Sequence, residues 1–156
     1  QNYANFGKLV HIDLCENRLT GELPSSWGNA GSVSDQLQVL MLCANELEGT
    51  VPSQWHTSFG ALTQMNISVN ALTGALPSAW GSTLTNLQLL DLHGNAFNSF
   101  LPEQWSQLSS VQHFDVSRNS LSGTVSSSFA SLPSLGIFII ADNRFTGLLP
   151  SFMLNS

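Results

Sequence analysis

Residues 62–80 read LTQMNISVNALTGALPSAW, and where the apolar residues fall around Asn70 decides the fold. Leu62, Met65 and Ile67 stand eight, five and three residues before it, and Leu72 and Leu76 stand two and six after it. The alternation Met65-Asn66-Ile67 has period two, the mark of a short strand with one apolar face. The same frame surrounds Asn17, Asn45, Asn70, Asn95, Asn119 and Asn143, at intervals of 28, 25, 25, 24 and 24 residues. Eight before each Asn stand Leu9, Leu37, Leu62, Leu87, Val111 and Leu135; five before, Ile12, Leu40, Met65, Leu90, Phe114 and Phe138. Three before stand Leu14, Leu42, Ile67, Leu92, Val116 and Ile140; two after, Leu19, Leu47, Leu72, Phe97, Leu121 and Phe145. Six after stand Leu23, Val51, Leu76, Leu101, Val125 and Leu149. Five positions held apolar in six copies predict a coil that returns to the same place every repeat. The strands then stack in parallel about 4.8 Å apart, and each apolar position becomes a ladder of side chains inside the coil. A well-buried ladder residue contributes about 1.5–3 kcal/mol. The Asn amide carries donors and an acceptor suited to the backbone groups of a buried turn, so the six Asn are expected to be structural.

The half-repeat after each Asn carries its own pattern. It reads Leu19-Thr20-Gly21-Glu22-Leu23-Pro24 to Trp27, Leu47-Glu48-Gly49-Thr50-Val51-Pro52 to Trp55, and Leu72-Thr73-Gly74-Ala75-Leu76-Pro77 to Trp80. A fourth copy, Phe97-Asn98-Ser99-Phe100-Leu101-Pro102 to Trp105, has Ser for Gly; the fifth has Ser126 and Phe129 for Pro and Trp; the sixth keeps Pro150, with Phe152-Met153 near the Trp place. Trp27, Trp55, Trp80 and Trp105 share one repeat position, so they are expected to form a core ladder rather than four ligand anchors. Pro suits the first turn of a short helix, which predicts 3-10 or single α turns on the convex side.

The L-x-x-L-x-L-x-x-N-x-L frame is that of leucine-rich repeats, and the L-x-G-x-L-P block resembles the plant-type class of that family. This resemblance, from about Leu9 to Phe152, implies a second short sheet beside the main one. The L-P-x-x-W variant at Trp27, Trp80 and Trp105 is similar to the kinetoplastid (Leishmania and Trypanosoma) parasite surface antigen family. The chain departs from that family in keeping Asn where Thr is frequent there, and in showing neither its cysteine-rich flanks nor its lipid-anchor signal. Plant receptor ectodomains and polygalacturonase-inhibitor-like proteins share most of the pattern. The expected fold is thus α/β: a leucine-rich-repeat solenoid, with a parallel sheet on its concave face. Residues 1–156 are expected to form a single domain of six repeats of 24–28 residues, a fragment lacking one or both caps.

Composition narrows the function. Four Lys+Arg against ten Asp+Glu give a net charge of −6, which excludes a basic nucleic-acid footprint and argues against direct contact with an anionic membrane. A hydrophobic share of 42% excludes disorder, and the longest apolar run, Leu135 to Ala141, is too short to span a bilayer. Strand residues not pointing inward face the concave surface: His11, Asp13, Val39, Met41, Gln64, Asn66, Leu89, Asp91, His113, Asp115, Ile137 and Ile139, then Cys15, Cys43, Ser68, His93, Ser117 and Ala141. Asp91, His93, His113 and Asp115 lie on adjacent strands and offer ligand types for Zn²⁺ or Mn²⁺ or for acid–base work. An open sheet that admits water favours a solvated polar ladder instead, so no metal, no cofactor and no catalytic residue are expected. The ligand-binding candidates are His11, Asp13, Val39, Met41, Gln64, Asn66, Asp91, His93, His113 and Asp115. Exposed apolar residues in the second and sixth repeats, Val39, Met41, Ile137 and Ile139, suit a partner or a neighbouring repeat.

Cys15 and Cys43 share one strand position in successive repeats, within bridging range, but their Cβ vectors run side by side. Two free or loosely paired thiols are expected rather than a bridge. The sequon Asn66-Ile67-Ser68 makes Asn66 a candidate glycosylation site; in mid-strand an unmodified Asn is expected. The leading function is a non-enzymatic binding module that recognises a protein or carbohydrate. Family resemblance implies an extracellular, cell-surface location. The alternatives are an intracellular repeat scaffold and a plant-type receptor or enzyme-inhibitor ectodomain. Open coil ends predict end-to-end self-association.

Overall fold

A computed structural model of the chain describes residues 9–29, 36–150 and 153. Each repeat contributes one three-residue strand to a six-stranded parallel sheet: β1 (His11–Asp13), β3 (Val39–Met41), β5 (Gln64–Asn66), β7 (Leu89–Asp91), β9 (His113–Asp115) and β11 (Ile137–Ile139), in that spatial order. The register keeps equivalent residues opposite one another: Asp13 faces Met41, Met41 faces Asn66, Asn66 faces Asp91, and Asp91 faces Asp115.

A second, flanking sheet follows the Asn positions. It comprises β2 (Thr20–Glu22), β4 (Glu46–Thr50), β6 (Ala71–Gly74) and β8 (Ala96–Phe97), then the pair β10 (Ser122–Gly123) and β12 (Arg144–Phe145). Only a single bridge, Phe100 to Ser122, links the two parts. The interruption coincides with Ser99. At Gly123 the backbone is left-handed (φ +81°), and an added Cβ would strike the Phe100 ring at 2.5 Å. Ser99 is not left-handed; its hydroxyl accepts from Leu76 N–H at 3.2 Å instead.

Convex connections are short: 3-10 turns at Ser25–Gly28, Ser53–Thr57, Glu103–Gln107 and Ser127–Ser131, and one α turn, α1 (Trp80–Thr83). Prolines 24, 52 and 102 open three of them. Where Pro is replaced, Ser126 caps the turn by accepting Ser128 N–H at 3.2 Å. The hydroxyls of Ser128 and Ser126 also donate to Glu103 Oε1 at 2.7 and 3.1 Å, holding the Glu103 carboxyl below the usual carboxylate range. Among the described residues no helix is long and apolar enough to cross a membrane.

The apolar ladders form the core. Leu40, Leu42, Met65, Ile67, Leu90, Leu92, Phe114 and Val116 are buried, whereas Ile12, Phe138 and Ile140 are half-buried and Leu14 is exposed. A ladder residue needs a coil on each side, so the middle four coils are sealed and the end coils are open. The Asn ladder works as expected. Asn95 Nδ2 donates to its own Leu92 C=O at 3.1 Å and to Ile67 C=O of the preceding coil at 3.1 Å, while its Oδ1 accepts Leu72 N–H at 3.1 Å. Asn45, Asn70, Asn119 and Asn143 repeat this clamp; among the described residues the Asn17 side chain bonds only to Leu14 and Cys15 C=O of its own coil.

One feature escaped the sequence pattern. The residue before every Asn (Glu16, Ala44, Val69, Gly94, Arg118 and Asp142) is left-handed, with φ between 51° and 64°. That conformation turns the chain so that Asn points inward, and only the fourth copy uses Gly for it. Val69 is β-branched, the residue type least suited to it, and it is 47% exposed. Val69→Gly is expected to stabilise the chain by about 0.5–1 kcal/mol, relief of strain outweighing the added freedom of the unfolded chain. A thermal melt should show a rise of about 2–3 °C; an unchanged or lower midpoint would contradict the strain.

Candidate functional site

The concave sheet is the candidate site because its side chains are not consumed by coil packing. Val39, Met41, Gln64, Asn66, Leu89, Asp91, His113, Asp115 and Ile139 are half-buried, and His11, Asp13 and Ile137 are exposed. Of the apolar residues expected to be exposed, only Ile137 is so; neighbouring strands partly cover Val39, Met41 and Ile139.

The recurrent Asp or Asn in mid-strand has a structural task. Oδ1 of Asp13, Asn66, Asp91 and Asp115 accepts the N–H two residues on, at 3.1, 3.0, 3.1 and 2.8 Å. This local bond closes the strand end before the left-handed turn. It occupies one oxygen of each carboxylate, and no hydrogen bond to Oδ2 of Asp91 or Asp115 forms among the described residues.

The polar cluster is smaller than the sequence suggested. Ligand atoms of Asp91, His93 and Asp115 lie within 4.8 Å of one another. His93 Nδ1 is 2.8 Å from Asp91 Oδ1, a bond that places the ring proton on Nδ1. His113 does not join them: it pairs in register with Leu89 and Ile137, one column away. The three-residue group stands on an open sheet and is half-buried, and nothing else in the fold identifies it as a metal site.

Cys15 and Cys43 form a disulfide, with Cα atoms 4.5 Å apart, where free thiols were expected. The parallel-vector argument applies inside the ladder, but paired residues end at Asp13 and Met41. Each cysteine sits two residues beyond, just before the left-handed Glu16 and Ala44, and Glu16 N–H still bonds to Cys43 C=O at 2.9 Å, so the two coils stay close enough there for the bridge. The bridge ties the first coil to the second. Asn66 Oδ1 is held by both the N–H and the hydroxyl of Ser68, at 3.0 and 2.6 Å, so the sequon's own Ser engages the amide that a glycan would modify.

The aromatic ladder is present but broken. Trp55, Trp80 and Trp105 are fully buried and Trp27 is half-buried. Trp27 stacks on Trp55 at 6.0 Å and Trp80 on Trp105 at 5.6 Å, with no stack between Trp55 and Trp80. The signal for the break is in the sequence. Gly follows Trp27 and Trp80, and a Cβ at Gly28 or Gly81 would strike the Gln54 or Gln104 backbone at 2.5 or 1.9 Å. His56 follows Trp55, so the next coil cannot approach as closely there. Phe152 lies outside the described residues, and Met153 is half-buried at the C-terminal end.

Comparison with known proteins agrees with this geometry. Family models described as leucine-rich repeat match residues 62–121, 85–145 and 8–30. No curated protein sequence matches significantly. Among solved structures, the chain is similar to the plant peptide hormone receptor RGFR1 in complex with RGF2, at 32% identity and TM-score 0.85, over 92% of this chain and 22% of that one. It is similar to PEPR1–AtPEP1 at 31% and 0.81, over 94% and 23%. It is also similar to the Arabidopsis receptor kinase HAESA ectodomain, in complex with an IDA peptide hormone ligand, at 28% and 0.80, over 92% and 23%. The chain spans less than a quarter of the length of each.

Proposed function

We propose that this chain, which belongs to the leucine-rich repeat family, is a non-enzymatic recognition segment of an extracellular receptor-like protein, and that its concave sheet binds a peptide or protein segment. The observation that carries this reading is the six-stranded concave face itself, with side chains in register and carboxylate oxygens unspent. Two structural neighbours supply support: RGFR1 is a plant peptide hormone receptor, and the HAESA ectodomain is in complex with an IDA peptide hormone ligand. The Cys15–Cys43 disulfide supports an oxidising compartment.

The face also states a preference. Its described strands carry no Lys or Arg, while Asp91 and Asp115 stand directly opposite each other and Leu89, Ile137 and Ile139 lie alongside. A ligand with a basic group over the two carboxylates and an apolar group over Leu89 and Ile137 complements it. Phage-displayed random peptides panned on the chain should enrich Lys- or Arg-bearing clones. Asp91→Lys combined with Asp115→Lys should weaken those clones about 30–100-fold, or about 2–3 kcal/mol. Clones that bind the double variant equally well would refute the concave reading.

A second reading, a kinetoplastid-type surface antigen, rests on the L-P-x-x-W blocks at Trp27, Trp80 and Trp105. Staining of intact source cells that is lost on treatment with an anchor-cleaving phospholipase supports that antigen; staining that survives supports the receptor.

A further inference from the structure

We propose, resting on the concave reading above, that His93 makes binding to this face proton-dependent: a basic ligand binds less tightly as pH falls through the imidazole range. The starting observation is a comparison between coils in the middle of the chain. Asp91 Oδ1 accepts the His93 N–H at 3.1 Å and lies 2.8 Å from His93 Nδ1. One coil earlier, Asn66 Oδ1 accepts the Ser68 N–H at 3.0 Å and the Ser68 hydroxyl at 2.6 Å. One coil later, Asp115 Oδ1 accepts the Ser117 N–H at 2.8 Å. The same strand end is closed with or without an imidazole, so the fold does not require one at position 93. Of the six residues at this repeat position, Cys15, Cys43, Ser68, His93, Ser117 and Ala141, only His93 titrates, because the two cysteines are bridged.

The place of His93 makes its proton count. Asp91 stands opposite Asp115 in register, and ligand atoms of Asp91, His93 and Asp115 lie within 4.8 Å of one another. With the imidazole neutral, Nδ1–H is given to Asp91 and the trio carries the charge of its two carboxylates. A second proton enters at Nε2 and cancels one of those charges, where the ligand's ammonium or guanidinium is to sit. The side chain is 31% exposed, so water delivers and removes that proton. The backbone beneath it is pinned. His93 C=O accepts Val69 N–H at 2.8 Å and Asn95 Nδ2 at 3.4 Å. Protonation therefore changes the charge of a site whose frame stays in place.

The groups around the trio leave His93 in control. On its own coil the other concave strand residue is Leu89, and the strand on one side presents Gln64 and Asn66, which do not titrate. The strand on the other side presents Asp115 and His113, and His113 lies in the column of Leu89 and Ile137. On the turn beyond, Arg118 is 3.7 Å from Asp142. Carboxylates ordinarily stay ionised above about pH 5.5, so histidine is the group that changes between there and about pH 7.5. A unit charge appearing this close to the ligand's cation, in a half-exposed site, weakens binding by about tenfold.

Calorimetry on the 156-residue chain is the test, with Lys- or Arg-bearing peptides panned at about pH 7.5 as probes. The peptides are N-acetylated, C-amidated and free of His, Asp and Glu, so that only the chain titrates. Binding should be about tenfold weaker at about pH 5.5 than at about pH 7.5. By linkage, a bound peptide should also expel a fraction of a proton near pH ~6.5, read from heats in two buffers of different ionisation enthalpy. His93→Ser places at position 93 the residue that both adjacent coils use, and circular dichroism checks that it folds. In that variant the pH effect should shrink to about twofold or less and the proton release should vanish. Peptides that bind equally at both pH values, or that release no proton, overturn the proton dependence whether or not the variant folds, and leave the concave reading standing. A folded His93→Ser chain with undiminished pH dependence does the same. If no basic peptide binds at either pH, the concave reading falls and the proton dependence falls with it.

Discussion

Asn95→Ala is expected to lower stability by about 3–5 kcal/mol, while the same change at Asn17 costs about 1 kcal/mol. The residues are chemically identical and share one repeat position, so the difference measures the cross-coil clamp together with its shelter from water. Truncating Asn95 removes the acceptor of Leu72 N–H and the donor to Ile67 C=O, both groups of the preceding coil, together with its bond to Leu92 C=O. Water cannot replace them between sealed coils, and each orphaned buried group costs about 1–3 kcal/mol. At Asn17 only the bonds to Leu14 and Cys15 C=O are lost, in an exposed coil where water takes over. Asn95→Asp keeps the acceptor for Leu72 N–H but turns a negative charge toward carbonyl oxygens, so it should also destabilise strongly. Thermal melts of the three variants should show a fall of about 10–15 °C for Asn95→Ala and only a few degrees for Asn17→Ala. Equal falls at the two positions would mean that the clamp contributes nothing between coils.

The same clamp shows why so much of the fold was legible. The columns Leu40–Met65–Leu90–Phe114 and Leu42–Ile67–Leu92–Val116 read directly off the sequence because a solenoid repeats one burial decision per coil, and all eight residues are buried. The flanking sheet was implied by the L-x-G-x-L-P block, and it fails where that block does, at Ser99. What stayed hidden depended on relations between coils rather than on the period. The disulfide turned on how closely the first two coils run just past their strand ends, where the Cα atoms of Cys15 and Cys43 are 4.5 Å apart. The frame already set His113 in the column of Leu89, and register agrees; what the sequence did not show is that this offset keeps it out of the group formed by Asp91, His93 and Asp115. Left-handed backbone at Val69 leaves no trace in a pattern of apolar positions, because only one of the six copies marks it with Gly. The concave residues were identifiable as a face, yet the sequence alone did not show that Oδ1 of each mid-strand Asp is spent on its own strand end.

Trp105→Ala should match Asn95→Ala in size, at about 3–5 kcal/mol, through a different cause. The indole is fully buried, stacks on Trp80 at 5.6 Å and meets the edge of Phe114 at 5.9 Å, so its removal opens a cavity where two coils meet. Cavity and hydrogen bond can be separated with phenylalanine. Trp105 Nε1 donates to Pro77 C=O at 2.9 Å, as Trp55 Nε1 does to Pro24 C=O at 3.1 Å, but Trp80 Nε1 is buried with no acceptor. Register explains the exception. Trp55 and Trp105 lie inside 3-10 turns that begin just after Pro52 and Pro102, whereas Trp80 itself opens α1, and its coil does not close onto Trp55. Trp105→Phe therefore loses a bond and leaves a carbonyl without its donor, while Trp80→Phe discards an N–H that was never satisfied. With similar volume lost at both sites, Trp105→Phe should cost about 1 kcal/mol more than Trp80→Phe in denaturant unfolding. The reverse order would place an acceptor at Trp80 and close the break in the ladder, and with it the distinction between coils that meet through Trp-Gly and the one that meets through Trp55-His56.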